Sequence, residues 1–461
     1  MLRVVEAALM LCVTVAVLSF GGTEPVSFSI VEVLLLAAAV AALYALKNFS
    51  WSHARQIGII PATLLALTAF QLLPIPTSLL RWLRPSHAPW NITSPENAPP
   101  TFSTLSIAPY ATRTHLVLLA CCTAVFFFAR TLGQDRQARR RLVGWLLALG
   151  TFEALYGLLQ YLSGWQKIFN YAKKYNLEEA TGTYINRNHF AGFLEMVIPF
   201  GLALVLYENA KLMRGTHPVR RWKAILSAEN LPRVGLRFLA TAVMLAGLAF
   251  SRSRMGIVAA ASSLALLAAF SGFQRKAGLW FSAVLMVCVT TLVLWMGATS
   301  TFERFGSLGQ EYSAAGESRL SLWIDSARLV AGHPLLGSGL GTFPVAFTTV
   351  QTTFLGKFVN HAHNDYLEFA SDLGVPAAIL LFGSIAAVFV RLASKIASAS
   401  VSFEKAAALG CLGAIAAILL HSLADFNLYI PANALVFSCI LGLAAAICAP
   451  GPENFRTPRE A

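Results

Sequence analysis

Long apolar runs recur along almost the whole chain, and their length is what most limits how it can fold. Each run is close to the roughly 20 residues that a helix needs to cross a bilayer. Lipid offers no hydrogen-bond partners, so such a chain must pair its backbone groups internally. The sequence therefore predicts an all-α polytopic membrane protein with about twelve spans, near residues 5–20, 29–46, 57–74, 114–131, 142–163, 188–207, 236–250, 255–272, 278–297, 374–393, 404–422 and 431–448.

The composition agrees with this architecture, since 56% of the residues are hydrophobic and the mean hydropathy is +0.63. Many spans can share one lipid-embedded core, so we expect a single integrated domain over residues 1–461. The seven cysteines lie in or beside apolar runs without metal-ligand spacing, so neither a disulfide framework nor a zinc site is expected. The apolar stretch after Arg3 lacks a cleavage site of the signal-peptide type, and we expect a retained first helix.

Lysine and arginine in short loops set the orientation in the membrane. With twelve spans and both termini in the cytoplasm, most of the 35 basic residues fall on the cytoplasmic side. Three long segments then lie outside, at 75–113, 164–187 and 298–373. The net charge of +13 follows mainly from this topology, so the expected partner is the lipid bilayer and not nucleic acid.

The stretch "NHAHNDYLEFASDLG", residues 360–374, is unusually rich in titratable groups for a chain that is only 12% charged. If it opens the helix that leads into the span at 374, four groups share one helical face: His361, Asp365, Glu368 and Asp372. His363 would point elsewhere and, with Asn364, lie at the outer membrane boundary. A histidine there could take a proton from a sugar hydroxyl. Alternatively, both histidines only cap and bond a loop, or His361, His363 and Asp365 bind a metal, although their alternation suits a strand better than a helix.

Arginines are the second candidate element. "FSRSRMG" places Arg252 and Arg254 at a turn between two apolar helices, and Arg319 lies in the large external segment. Charges at such positions are costly without a partner, and guanidinium groups suit phosphate oxygens. The pattern favours a diphosphate-binding site that needs no metal, while the alternative is that the arginines reach toward lipid headgroups.

Two further polar groups flank apolar spans. "GTYINRNHFAGFL" carries Asn186 and Asn188 at the start of a span, where amides most often cap a helix. "HSLADFNLYIP" carries His421 and Asp425, which could orient each other or close a loop. Three glutamates inside apolar runs are expected to face the bundle interior: Glu32, Glu153 and Glu195.

Four motifs, in this order, resemble the O-antigen ligase and polymerase family of bacterial membrane glycosyltransferases: "GTYINRNHFAGFL", "SRSRMG", "SRLSLWIDSARLVAGHPLLGSGLGTF" and "HAHNDYLEFASDLG". They cover roughly residues 150–440, and the resemblance implies a GT-C-like helical fold. The family's ligases follow their histidine with Asn, Ser or Gln, nine residues and Gly-x-x-Gly. Here His363, Asn364 and Gly374 fit this signature, whereas its last position is Ala377.

The resemblance also implies a reaction and a set of site residues. His363 would correspond to the essential histidine, Arg254 and Arg319 to the arginines that hold the lipid diphosphate, and Arg252 to a neighbour. The supporting positions would be Asn364, Asp365, His361, Asn186 and Asn188. The implied enzyme inverts the anomeric centre without a metal, a nucleotide or another cofactor. It moves a glycan from undecaprenyl diphosphate to a hydroxyl of lipid A core, another glycan or a protein, at the periplasmic face of the inner membrane.

Other functions remain open at this point. Within the same enzyme class, the chain could be a polymerase that joins lipid-linked repeats, or an O-linked protein glycosylator. A flippase or exporter of polyisoprenoid-linked glycans would also explain external arginines. Transporters usually show paired repeats, broken helices and a site at the membrane midplane, and we find none of these in the sequence.

Overall fold

The structure is a computed structural model that describes residues 2–45, 52–83, 101–213, 231–270, 311–352 and 358–449. Almost all regular structure in these ranges is helical. In chain order the helices are α1 (Leu2–Leu18), α2 (Pro25–Ala45), α3 (Ser52–Gln71), α4 (Thr77–Leu83), α5 (Pro109–Leu132), α6 (Arg136–Ser163), α7 (Arg187–Met213), α8 (Leu231–Phe250), α9 (Arg254–Phe270), α10 (Glu311–Gly332), α11 (Phe343–Ala346), α12 (Asp365–Leu373), α13 (Val375–Ala397), α14 (Phe403–His421) and α15 (Pro431–Cys448).

Among the described residues, seven helices are long and apolar enough to cross a membrane: α2, α5, α6, α7, α13, α14 and α15. The apolar parts of α3, α8 and α9 are shorter, and α1 coincides with the first predicted run. The prediction of an all-α polytopic membrane protein is therefore confirmed. The number twelve stays a prediction, because the run at 278–297 lies outside the described residues.

Small residues allow the central helices to approach closely. α14 is buried over almost its whole length and packs against α7, while α15 packs against α5. A Cβ atom at Gly410 of α14 would come within 2.3 Å of the Phe200 ring on α7. In lipid, such close packing replaces the hydrophobic effect as the force that joins helices. The centre of the bundle is thus α7 and α14, and both contribute to the site described below.

Strands contribute very little to the described residues. β1 (Ile75–Pro76) pairs antiparallel with β2 (Phe102–Ser103), and β3 (Lys167–Ile168) pairs antiparallel with β4 (Tyr171–Ala172). These two hairpin-like pairs lie in two of the segments that the sequence places between spans. The third segment, 298–373, contains α10, α11 and α12, while its residues 298–310 and 353–357 lie outside the described part.

The segment before the α13 span is not one continuous helix, which corrects the sequence-based prediction. α12 ends at Leu373, and Gly374 adopts φ 85° and ψ 157° before α13 begins. A Cβ atom at Gly374 would lie 2.3 Å from the carbonyl oxygen of Leu335, so only glycine fits this close approach. The helix prediction for the start of 317–341 is confirmed by α10, and the turn that follows it packs on the end of α12: the amide of Gly339 donates to the carbonyl oxygen of Asp372 at 3.0 Å.

Candidate active site

The histidine-rich stretch begins as extended backbone and becomes helical only at Asp365. Asn364 is the N-cap of α12, and its side-chain oxygen accepts from the amide of Leu367 at 3.0 Å. Its amide group donates to the carbonyl oxygen of Leu423 at 3.0 Å. Asn364 therefore holds α12 against the loop that follows α14. Because the helix starts after His361, the predicted helical face that joined His361 to Asp365 does not exist.

His361 is instead paired with Glu368, seven positions later. Its Nδ1 lies 2.7 Å from Oε1 of Glu368, and the other carboxyl oxygen accepts from the amide of Ala362 at 2.8 Å. The imidazole also stacks on the ring of Phe426, with centroids 3.8 Å apart and planes 10° from parallel. Burial lowers the pKa of His361 to about 4 and raises the pKa of Glu368 to about 8. At neutral pH the pair is uncharged, with its proton on the carboxyl group.

The other acids of α12 are also buried and hydrogen-bonded. Asp365 accepts from the hydroxyl of Ser422 at 2.7 Å. This contact joins Asp365 to the turn after α14, and its supporting role beside His363 stays a prediction. Asp372 accepts from the hydroxyl of Tyr429 at 2.8 Å and from the amide of Gly341 at 2.6 Å. Burial raises the pKa of both aspartates well above the usual range, and their hydrogen bonds fix this face of α12 in place.

His363 differs from its neighbour in both conformation and surroundings. Its backbone is left-handed, with φ 49°, a region that costs a non-glycine residue roughly 1–2 kcal/mol. Its side chain is 39% exposed, and its Nδ1 lies 3.4 Å from Oδ1 of the buried Asp425. This contact is longer than a good hydrogen bond, although such contacts often shorten when substrate binds. With Nδ1 facing Asp425, Nε2 is the nitrogen available as a proton acceptor.

Asp425 lies among three imidazoles. Burial alone would raise its pKa, but His363, His189 and His421 outweigh burial and hold the pKa of Asp425 well below its usual range. Its second oxygen, Oδ2, lies 3.8 Å from Nε2 of His421. The proximity of His421 and Asp425 agrees with the idea that they orient each other. Asp425 therefore remains a carboxylate beside His363, unlike the acids of α12.

The ring of Phe426 lies at the centre of these histidines. His361 stacks on it, while the rings of His363 and His189 meet it edge-on, with centroids at 5.0 Å and 4.8 Å. Several polar atoms in this neighbourhood lack a hydrogen-bond partner within the described part of the chain: His189 Nε2, Asp365 Oδ1, His421 Nε2 and Asn427 Nδ2. Unsatisfied buried groups of this kind are rare in native proteins and concentrate at functional sites.

The two asparagines of the "NRNH" motif lie at the start of α7. The side chain of Asn186 accepts from the amide of Asn188 at 2.8 Å, and its carbonyl oxygen accepts from the amide of Phe190 at 3.2 Å. Asn186 is thus a helix cap, as the simpler interpretation predicted, and Asn188 lies in the first turn. This turn also places His189 against Phe426, so the motif reaches the site through its histidine.

Arg319 lies on a helix that touches the histidine stretch. It is exposed and precedes Trp323 by four residues on α10, so the two residues share a face. The indole N–H of Trp323 donates to the carbonyl oxygen of Ala362 at 3.2 Å. That face of α10 therefore packs beside His363, and a donor-binding role for Arg319 stays a prediction.

Arg254 is the first residue of α9 and is half-buried. The same turn packs on α7, because a Cβ atom at Gly256 would lie 2.7 Å from that of Ala191. Ala191 follows His189 by two residues, so the start of α9 lies near the start of α7 that meets Phe426. The role predicted for Arg254 is compatible with this position and remains a prediction.

Arg252 precedes α9 in a left-handed conformation, with φ 52°. It forms a 3.4 Å ion pair with Glu178 and lies over the ring of Tyr161, with 5.9 Å between its Cζ and the ring centroid. These contacts hold it against the segment that follows α6. No group of three or more histidine, cysteine, aspartate or glutamate side chains within the described residues is arranged to hold a metal ion.

Residues 239–382 match the family model described as O-antigen ligase. The chain therefore carries an O-antigen ligase family domain. This match confirms the family resemblance over these residues and supports a relationship to a family of membrane enzymes that transfer glycans. No curated protein matches the chain.

The O-antigen ligase domain contains the predicted histidines of the 360–374 stretch and all three arginines. Asp425, His421 and Glu195 lie outside the matched residues, although Asp425 is the nearest carboxylate to His363. The sequence pattern does not connect these three residues to the site. The only available signal was the spacing of four between His421 and Asp425 at the end of an apolar run.

Proposed function

We propose that this protein is a membrane glycosyltransferase of the O-antigen ligase type. It moves a glycan from an undecaprenyl-diphosphate carrier to an acceptor hydroxyl at the outer face of a bacterial cytoplasmic membrane. One observation carries the proposal: within an O-antigen ligase domain, His363 combines a half-exposed imidazole with a buried, ionised partner, Asp425. An imidazole held this way suits general-base catalysis.

The proposed chemistry is a single displacement. The acceptor hydroxyl attacks the anomeric carbon, and its proton passes to Nε2 of His363. The bond between that carbon and the diphosphate oxygen breaks, and its electron pair stays on the diphosphate. One displacement inverts the anomeric configuration. Asp425 stabilises the imidazolium that forms, as the carboxylate of a catalytic triad does.

The arginines would act on the leaving group. Arg254 and Arg319 begin or lie on helices that approach the His363 neighbourhood, and their guanidinium groups match diphosphate oxygens in charge and geometry. Neutralising charge that develops on the departing diphosphate lowers the barrier without a metal ion. The unpartnered polar atoms around Phe426 suit a ligand rich in hydroxyl groups.

The proposed setting is the inner membrane with both termini in the cytoplasm, and one integrated domain that places the site at the periplasmic face. The excess of basic residues in the opposite loops supports this orientation. A cysteine-labelling experiment tests it. A cysteine at exposed Arg319, placed in a cysteine-free background, should react with a membrane-impermeant reagent added to intact spheroplasts.

The decisive experiment is transfer by the purified protein from a lipid-linked glycan donor. His363→Ala should insert and fold normally but lose transfer by about 10²–10⁴-fold, the usual contribution of a general base. Arg254→Ala and Arg319→Ala should weaken donor binding. Lysine at either position should restore binding only in part, because an ammonium group lacks the planar, two-pronged donor geometry of guanidinium. Undiminished transfer by His363→Ala would contradict the proposal that His363 is the general base.

The acceptor is decided by the product that accumulates when the gene is deleted. Loss of a ligase leaves undecorated lipid A core together with long lipid-linked glycan. Loss of a polymerase leaves single lipid-linked repeats, and loss of an exporter leaves glycan on the cytoplasmic side. Loss of a protein glycosylator leaves unmodified protein.

A further inference from the structure

A line of alternating carboxylates and imidazoles runs from the middle of the bundle to His363. Both carboxyl oxygens of Glu195, on α7, lie within hydrogen-bond distance of Nδ1 of His421, at 3.0 Å and 2.9 Å. Nε2 of His421, at the end of α14, faces Oδ2 of Asp425 at 3.8 Å. Oδ1 of Asp425 faces Nδ1 of His363 at 3.4 Å. The first two members have no exposed side-chain surface, so neither can touch a substrate.

The buried pair of Glu195 and His421 is not explained by a contribution to the stability of the fold. Removing an acid and an imidazole from water costs several kcal/mol, and an apolar pair of similar volume is often equally or more stabilising. Ionisable groups inside membrane proteins are correspondingly uncommon and usually functional. Glu195 differs in this respect from Glu153, which is bonded to the amide and hydroxyl of Thr183, 2.9 Å and 2.8 Å away, and so closes a local turn.

The pair determines which nitrogen of His421 carries a proton toward Asp425. A neutral imidazole has one N–H group and one bare nitrogen. If Glu195 and His421 together hold one shared proton, Nε2 keeps its own hydrogen and presents an N–H to Asp425. If Nε2 were bare, its lone pair would face the anionic carboxylate and repel it. Asp425 would then turn away from the position in which it faces His363.

We infer that Glu195 and His421 are positioning residues, a buried pair that holds the Asp425 carboxylate in the orientation that supports His363. This inference rests on the proposed function, because it concerns the same base. Glu195 fixes the ring of His421, His421 fixes Asp425, and Asp425 fixes the tautomer and direction of His363. Partners that orient a catalytic group in this way typically change activity by about 10- to 100-fold when removed.

The test uses apolar and polar replacements of the pair in the full-length protein in detergent or proteoliposomes. Glu195→Leu and His421→Leu should each lower kcat about 10- to 100-fold while the KM for the lipid-linked donor stays unchanged. Glu195→Gln should keep most of the activity, because its amide can donate to Nδ1 and leave the N–H at Nε2. Glu32→Leu is the matched control, since it removes a carboxyl from another membrane helix, α2, and should not change kcat.

The double variant Glu195→Leu/His421→Leu separates positioning from stability. Because it removes both members of the buried pair together, its thermal unfolding temperature should return to the wild-type value or exceed it. Its kcat should remain as low as that of His421→Leu alone, since the two residues act in series. A double variant with both wild-type stability and wild-type kcat would show that the pair only packs, and would overturn the inference.

The same assay includes His363→Ala, so that two failures can be told apart. If His363→Ala is inactive and the double variant is fully active, only the positioning role is wrong. If His363→Ala itself is fully active, His363 is not the base, and the positioning role of Glu195 and His421 is contradicted as well. If Glu195→Gln loses as much kcat as Glu195→Leu, hydrogen bonding to Nδ1 is not what Glu195 supplies, which also contradicts the inference.

Discussion

Two histidines separated by one residue lie in opposite environments around the same phenyl ring. His361 stacks flat on Phe426, and its Nδ1 is hydrogen-bonded to Oε1 of Glu368 at 2.7 Å. His363 meets the ring at 72° and keeps a longer contact of 3.4 Å with Asp425. The side chain of His361 is 26% exposed, and that of His363 is 39% exposed.

The contrast lies in where the proton resides. Next to His361 the carboxyl group is protonated, because burial raises the pKa of Glu368 to about 8. Next to His363 the carboxyl group is ionised, because three imidazoles outweigh burial and lower the pKa of Asp425. The uncharged pair of His361 and Glu368 fastens a loop, whereas the ionised Asp425 places a negative charge beside the imidazole of His363. Identical residue types thus lie in a packing environment at His361 and in the environment of the proposed base at His363.

The largest expected effect comes from removing the charge of Asp425. Asp425→Asn should lower kcat by about 10²–10⁴-fold, because the amide can donate to Nδ1 of His363 and so force the tautomer that has no lone pair at Nε2. The measurement is transfer from a lipid-linked donor by the purified variant. If Asp425→Asn keeps full kcat, the distinction between the two histidines does not depend on their carboxyl partners.

A smaller effect is expected at His361, and on stability more than on chemistry. His361→Ala removes the stack on Phe426 and leaves the buried Oε1 of Glu368 without its partner, which should lower the free energy of unfolding by about 2–3 kcal/mol. Thermal unfolding in detergent measures this change. The loss of kcat per folded molecule should be far smaller than that of Asp425→Asn. An equal or larger loss would mean that His361, and not His363, is the base.

The smallest effect concerns the alkaline stability of the His361 region. The pKa of Glu368 rises on folding from 4.5 to about 8, so its contribution to the free energy of unfolding falls as the pH rises through this interval and is lost above it. The pKa of His361 falls from 6.5 to about 4, so its contribution is lost as the pH falls through that interval. The stabilising contribution of the neutral pair is therefore reduced both at alkaline pH and at acidic pH.

Glu368→Gln tests the alkaline side, because glutamine imitates the protonated acid. Raising the pH from about 7 to about 9 should cost the wild type about 1 kcal/mol more than the variant. The measurement is the difference in unfolding temperature at the two pH values. Asp365 and Asp372 respond in the same direction in both proteins and cancel from this comparison. Equal pH sensitivity would mean that Glu368 is already ionised near neutral pH.

The helices follow directly from the sequence, because a run of about 20 apolar residues has few other ways to satisfy its backbone in lipid. The cap at Asn186 was also predictable, since an amide before a helix has a local partner within two or three residues. The pairing of His361 was not predictable in this way. Its partner is seven positions away, and the backbone between them is left-handed at His363 and extended at Asn364 before α12 begins.

The partner of His363 escaped prediction for a different reason. The approach of Asp425 depends on how the loop after α14 packs against the start of α12, where the amide of Asp365 donates to the carbonyl oxygen of Ser422 at 2.9 Å. Glu195 and His421 are separated by 226 positions, and residue spacing along the chain does not predict a contact over such a separation. The left-handed backbone at His363 adds a turn that side-chain pattern alone does not predict.

Phe426 has a consequence for how this pocket can change. One phenyl group serves as a common spacer for the imidazole of His189 on α7 and for those of His361 and His363 in the loop before α12. A smaller side chain there would let three histidines drift at once, and a larger one would push them apart together. Adjustments to the reactivity of a single imidazole must therefore come from its carboxyl partner, while the size of the residue at 426 stays as it is.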